Sequence, residues 1–182
     1  MAVARTVWGM IETRDHRLMR TVNRWRAPRW IRCWMISSTR AGDGWLWYTL
    51  GVILLLFGGS QRFAAVGAAA SAAIAGVFLF KLLKKVSHRP RPCQIESHCW
   101  AQVLPPDQFS FPSGHTMTAF SIAVVLSSFY PVLEGPFFFV ACSIAVSRIV
   151  LGMHFLSDVL AGALLGTGLG CAALALNSFL LR

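Results

Sequence analysis

Seven side chains in an otherwise apolar chain have the types needed for phosphate chemistry: Lys84, Arg91, Ser113, His115, Arg148, His154 and Asp158. Three fixed cations and a hydroxyl suit a dianionic phosphate, and arginine adds a planar fork of donors that matches it. The run "PSGH" at 112–115 reads as the start of a helix. Free backbone N–H groups at Ser113 and Gly114, added to the helix dipole, favour an anion there. His115 and His154 then supply nucleophile and acid, or acid and base. In "SRIVLGMHFLSD", residues 147–158, Asp158 follows His154 by four positions. On a continuous helix that is one face, so the carboxylate can take one ring N–H, fix the tautomer and leave the other nitrogen to attack. No cluster of carboxylates stands by for magnesium and no cysteine belongs to the set. The expected chemistry is phosphoryl transfer without a metal or other cofactor.

Those residues must be positioned by membrane helices. The chain has 182 residues, 55% of them hydrophobic and 13% charged, with a mean hydropathy of +0.58. Such a composition, with its apolar residues in long blocks, excludes an ordinary soluble domain and points to an all-α polytopic bundle. Five apolar segments lie at about 43–59, 62–83, 114–130, 137–153 and 155–179. Several are shorter than the roughly 20 residues that cross a bilayer, so the first and third need flanking residues or local thinning. Gly162, Gly166 and Gly170 recur at every fourth position, which lines one helix face with small residues for close packing. A cleavable signal peptide is not expected, because the first 40 residues lack its apolar run and cleavage site.

Residues 1–40 form a separate basic, amphipathic piece, and 41–182 the membrane domain with a polar loop at 84–113. Val7, Trp8, Ile11, Leu18, Val22 and Trp25 predict one apolar stripe over 5–26, and Pro28 interrupts it before Trp30, Ile31, Trp34 and Met35. Nine arginines fall between Arg5 and Arg40. Arginine with tryptophan suits the membrane interface, with anionic lipid headgroups rather than nucleic acid as partner.

The order of spans brings three polar clusters, 84–91, 113–115 and 148–158, to one membrane face. Gln61, Arg62 and Glu134 stand nearly alone on the other. Cys33, Cys142 and Cys171 read as packing residues. Cys93 and Cys99 could pair in an oxidising compartment, or bind zinc with His88 and His98, although the spacing matches no common zinc pattern. Arg89 is open to phosphate, headgroups or loop structure. His88 and His98 read as surface residues, Asp107 as a hydrogen-bond acceptor within the loop, and "AGDGW" at 41–45 as a turn leading into the first span.

The motifs resemble the three signatures of the type 2 phosphatidic acid phosphatase family: "KKVSHRPRP" holds a lysine, six residues and Arg-Pro from Lys84 to Pro92. "PSGH" is the second, and Ser147, Arg148, His154 and Asp158 carry the third. The resemblance covers 84–158 in motif and roughly 43–180 in helix layout, but not the first 40 residues. It implies that His154 attacks phosphorus to form a phosphohistidine. Asp158 would orient His154, and His115 would protonate the leaving oxygen and then activate water. Lys84, Arg91, Arg148, Ser113 and the Gly114 N–H would hold the phosphate oxygens. The implied substrate is a phosphate monoester or diphosphate on a membrane lipid, in a bacterial inner membrane. All lysines and arginines but Arg62 and Arg182 fall on the site's side. Positive-inside charge would make that side cytoplasmic, suiting phosphatidylglycerophosphate, phosphatidic acid or a polyprenyl-phosphate sugar. Family habit would make it periplasmic, suiting undecaprenyl pyrophosphate or lipid A. The competing class is a basic scaffold that binds anionic lipids, which leaves the two histidines without a purpose.

Overall fold

The structure is a computed structural model that describes residues 2–96 and 107–180, with side chains from Gly9 onward. Its helices are α1 (Ala2–Arg24), α2 (Arg29–Ala41), α3 (Trp45–Phe57), α4 (Arg62–Ser87), the single turn α5 (Pro92–Ile95), α6 (Gly114–Phe129), α7 (Glu134–Val150) and α8 (Leu156–Leu180). The five apolar segments become α3, α4, α6, α7 and α8. Three stretches, Gly59–Ser87, Pro131–Val150 and Leu156–Leu180, are long and apolar enough to cross a membrane, whereas Trp45–Phe57 and Gly114–Phe129 are shorter apolar helices. The chain is an integral membrane helix bundle.

Helix α6 is the centre of the bundle and packs against α4, α7 and α8. Small and medium-sized residues fill most of it, and Thr116, Met117, Ala119, Ser121, Ala123, Val125 and Leu126 are all buried. The glycine stripe of α8 explains how close its neighbour comes. A Cβ at Gly162 would lie 2.6 Å from the Ser113 carbonyl oxygen, and one at Gly166 2.3 Å from that of Met117. Those glycines let two backbones meet where no side chain fits, and they fix the start of α6 against the start of α8.

Outward-facing residues are large and apolar: Phe63, Phe78 and Leu82 on α4, and Leu164, Leu176 and Phe179 on α8, are exposed. Against hydrocarbon such a face needs no polar cover. The same logic corrects the reading of Cys33, Cys142 and Cys171, which are exposed on the bundle rather than packed inside it. In lipid, a small apolar thiol serves as well outside as inside. Cys93 is a free thiol, while Cys99 and His98 lie outside the described residues. Among the described residues no three His, Cys, Asp or Glu side chains gather as a metal site.

Pro28 separates α1 from α2, as its missing N–H and fixed φ require. Val22, Ala27, Ile31, Met35 and Ile36 pack on Val150, Leu151 and Met153, just past the end of α7. Trp25, Trp30 and Trp34 stay exposed. Among the described side chains of α1, Asp15 and Met19 are the buried ones, so the inward stripe carries a carboxylate that the apolar pattern alone does not disclose.

Candidate active site

Three sequence-distant segments close over His154. Helix α4 ends at His88, which takes the left-handed conformation at φ 46°, and the chain turns back past Arg89 and Arg91. Segment 107–111 then runs antiparallel to it, with the Ser110 N–H donating to the Arg89 carbonyl at 2.8 Å and a bridge between Pro90 and Phe109. The link from α7 to α8 wraps under both: the Met153 and His154 N–H groups each donate to the Arg148 carbonyl at 3.0 Å, and the Cys93 N–H donates to Gly152 at 3.1 Å. Lys84, Arg91, Ser113, Arg148, His154 and Asp158 are all buried.

His154 is held at both ring nitrogens. Nδ1 lies 2.6 Å from the Ser110 carbonyl oxygen, which can only accept, so Nδ1 carries the proton. Nε2 is 3.2 Å from Arg91 Nη1 and keeps its lone pair. Burial first, and then the positive charges of Arg148, Arg91 and Lys84, hold the imidazole well below its ordinary pKa. At neutral pH it is an uncharged ring with its unprotonated nitrogen directed among cations.

The position of Asp158 differs from the one-turn expectation. Its Oδ2 is 3.7 Å from His154 Nδ1 and instead accepts the Phe155 N–H at 2.8 Å. The reason is that α8 starts at Leu156, so His154 precedes the helix and the residue pair does not share a helical face. The other oxygen receives Arg89 Nη1 at 2.6 Å. Arg89 also donates to Asp15 at 2.7 Å and to Ser157 Oγ at 2.7 Å, and it stacks 4.3 Å from the centre of the Phe155 ring. Asp15 further accepts the Ser157 N–H and hydroxyl. Arg89 is thus a strut between α1 and α8.

The cations fall into two groups. Lys84 Nζ and Arg91 Nη2 each contact the Asp107 carboxylate at 2.6 Å, and Arg91 is further fixed by the carbonyls of Asp107 and Met153. Burial acts to raise the Asp107 carboxyl, but the hydrogen bonds from Lys84 and Arg91 outweigh it and hold it below its usual value. Arg148 is different. It is 2% exposed and its Nη1 donates to Thr39, yet its Nε and Nη2 have no partner among the described residues. A buried guanidinium with two idle donors is costly unless an anion completes it.

The start of α6 faces the same space. Ser113 is its cap residue, with its N–H on the Asp158 carbonyl at 3.1 Å and its hydroxyl 2.9 Å from Thr116 Oγ1. The amides of Gly114 and His115 open the helix and have no acceptor within it. A Cβ at Gly114 would meet the Phe80 ring at 3.0 Å. His115 Nε2 lies 2.7 Å from Asp43 Oδ1. Every one of the eight singled-out residues is therefore at one end of the bundle. Asp15, Thr39, Asp43, Arg89 and the Ser110 carbonyl join them without having been assigned there from the motifs.

From these polar groups a cavity of about 1420 Å³ runs down between α3 and α4. Its polar end holds Lys84, Arg91, His115, Arg148 and His154, and its walls are apolar, from Tyr48 and Phe80 to Leu54 and Val66. Between Val66 and Lys84 the α4 wall rises about 27 Å at 1.5 Å per residue, close to the thickness of a bilayer core.

The family model described as the PAP2 superfamily matches residues 64–181. The chain belongs to that superfamily. It is 31% identical over 128 residues to phosphatidylglycerophosphatase B of Bacillus subtilis strain 168, covering 64% of this chain and 52% of that protein. It therefore spans about half the length of that relative. Among solved structures it resembles Aquifex aeolicus LpxE, with TM-score 0.73 and 31% identity over 87% of this chain and 93% of the other. It also resembles the first transmembrane PAP2-type phosphatidylglycerolphosphate phosphatase from Bacillus subtilis, with TM-score 0.71 and 25% identity over 93% and 87%. Asp15, Thr39 and Asp43 lie outside the matched residues.

Proposed function

We propose that the protein removes phosphate from a monoester or diphosphate headgroup of a membrane lipid, through a phosphohistidine on His154. The observation that carries this reading is the pair of buried Arg148 donors, without a partner among the described residues, at the polar end of an apolar groove. An anion belongs beside Arg148, and a hydrocarbon chain belongs between α3 and α4.

His154 Nε2 attacks phosphorus as the ester oxygen leaves, while Nδ1 keeps its hydrogen bond to Ser110 and passes no proton. Positive charge that develops on the ring is balanced by the net negative Asp15–Arg89–Asp158 group. Arg148, the α6 amides, Lys84 and Arg91 stabilise the phosphoryl oxygens, and the last two exchange Asp107 for phosphate. His115 gives a proton to the leaving oxygen and later takes one from the water that releases phosphate. The exposed arginines and Trp25, Trp30 and Trp34 of the N-terminal helices rest on anionic headgroups of a bacterial inner membrane.

The test is phosphate release by detergent-purified protein with EDTA present. Phosphatidylglycerophosphate, phosphatidic acid, undecaprenyl pyrophosphate and lipid A are offered in parallel, with His154→Ala as control. Release that persists in EDTA and is lost in the variant is expected, and the ranking of lipids names the substrate. Release that needs a metal, or that survives in His154→Ala, overturns the mechanism.

A further inference from the structure

The turn between α2 and α3 makes a contact that the three motifs do not account for. Asp43 Oδ1 is 2.7 Å from His115 Nε2. A Cβ on Gly42 would sit 2.7 Å from His115 Cδ2 and 3.1 Å from Ile144 Cγ2, so the turn lies directly on the edge of the imidazole. Gly44 at φ 115° lets the chain reverse there into α3. The turn is itself anchored: the Gly42 N–H donates to Ser38 at 3.2 Å, that of Asp43 to Arg40 at 3.0 Å, and Trp45 Nε1 to Arg40 at 2.9 Å. One residue group earlier, Thr39 receives Arg148. The α2 end thus touches both the phosphate-side guanidinium and the second histidine.

We infer that Asp43 is a positioning residue for His115, holding its Nε2–H so that Nδ1 is the nitrogen that serves the leaving oxygen. This rests on the phosphatase reading above. His115 shares its pocket with the cations Lys84, Arg91 and Arg148 and with the neutral His154, and Asp43 is the carboxylate bonded to it. A proton shuttle there needs a fixed tautomer and an anion to balance the ring when it is protonated. In the first step the bond from phosphorus to the ester oxygen breaks as the bond to His154 Nε2 forms, and the oxygen takes the proton from His115 Nδ1. In the second, Nδ1 takes a proton from water as the new oxygen–phosphorus bond forms and the bond to His154 breaks. Nε2–H stays on Asp43 throughout.

The test compares kcat/KM for two phosphomonoesters in the full-length protein in detergent. Phosphatidic acid has a poor alkoxide leaving group that needs a proton, and 4-nitrophenyl phosphate has a good one that does not. Because kcat/KM reports steps up to loss of the leaving group, it isolates the first proton transfer. General acids typically contribute about 100- to 10000-fold, and Asp43 acts on only part of that. Asp43→Asn is expected to lower the phosphatidic acid to 4-nitrophenyl phosphate ratio about 10- to 100-fold, Asp43→Glu to restore much of it, and Asp43→Asn to add nothing in a His115→Ala background. An equal fall on both substrates overturns the inference and leaves Asp43 as a support of the fold. No fall on either overturns it as well. A wild type silent on both and on every lipid offered above overturns the phosphatase reading itself, and with it this one.

Discussion

Replacing Asp158 by asparagine separates two ways of holding His154, the nucleophile proposed above. If Asp158 itself received the Nδ1 proton, an amide would favour the wrong tautomer, a change that costs about 10000-fold in a catalytic triad of that kind. Here the Ser110 carbonyl receives that proton at 2.6 Å, while Asp158 Oδ2 stands 3.7 Å away. The remaining contribution is a field. A unit charge 3.7 Å away interacts by roughly 4.5 kcal/mol at an effective dielectric of about 20. Arg89 divides one positive charge between Asp158 and Asp15, and attack places only part of a charge on the ring. About 1–2 kcal/mol is left, roughly a 5- to 30-fold loss in rate. The amide oxygen can still accept the Phe155 N–H, and Arg89 keeps Asp15. The assay is kcat/KM on phosphatidic acid in detergent with EDTA, beside a melting curve of each protein. A fall near 10000-fold without loss of the folded state would refute the reasoning and return the tautomer to Asp158.

Arg148→Lys keeps the charge but loses the idle donors, and kcat/KM should fall by about 100-fold or more; a lysine enzyme of normal rate would show that the fork is unused. Asp107→Asn releases Lys84 and Arg91 from ion pairs to a part-exposed carboxylate, worth about 1 kcal/mol to phosphate binding, so orthovanadate should inhibit about fivefold more tightly; weaker inhibition would mean that Asp107 builds the clamp rather than competing for it. Because the folded pKa of His154 is lowered, the unfolded chain binds the extra proton first. Its stabilising contribution is complete above about pH 6.5 and is lost as pH falls from there towards the folded value. The drop in detergent melting temperature between pH 8 and pH 5 should therefore shrink in His154→Gln. Gly166→Ala forces a Cβ towards the Met117 carbonyl and should cost about 1–3 kcal/mol, read as a melting point several degrees lower with activity falling alongside.

Much of this arrangement was legible from residue types and spacing. Hydropathy alone places α3, α4, α6, α7 and α8 within a few residues of where they lie, because in a bilayer an apolar run has little choice but to be helical. The glycine spacing of α8 marked a face for close helix packing, and α6 is the helix that takes it. Convergence of Lys84, Arg91, Ser113, His115, Arg148 and His154 followed from which ends of the spans carry them. Geometry across a chain break was not legible. Spacing by four suggested that Asp158 faces His154 on a helix, but α8 begins two residues after the histidine, so the carboxylate caps the turn instead. Nor could spacing show that a carbonyl from the 107–111 segment would supply the acceptor, since any residue type offers one.

The aspartates give the strongest clue that a sequence reading passes over. The chain has only seven acidic residues against seventeen lysines and arginines. Four of the seven, Asp15, Asp43, Asp107 and Asp158, bind side chains at the candidate site: Arg89, His115, Lys84 with Arg91, and again Arg89. Asp15 stands on the inward stripe of α1, four residues after Ile11 and four before Met19, where a carboxylate is unfavourable without a partner. That placement predicts a buried cation opposite it, and Arg89 is the cation. Asp43 sits between two glycines in a turn that the residue pattern marks only as the entry to the first span. In a site built from so many positive groups, each negative charge changes what its neighbours can do. The acids divide that work: Asp107 faces Lys84 and Arg91, Asp158 and Asp15 lie behind His154 with Arg89, and Asp43 reaches His115. Two of the four come from the first 43 residues, outside the 64–181 match. The basic N-terminal helices therefore belong to the architecture of the candidate site. A chain shortened to begin at the first apolar span should keep all three motifs and lose most of the rate, with Asp15→Ala reproducing part of that loss in the intact protein.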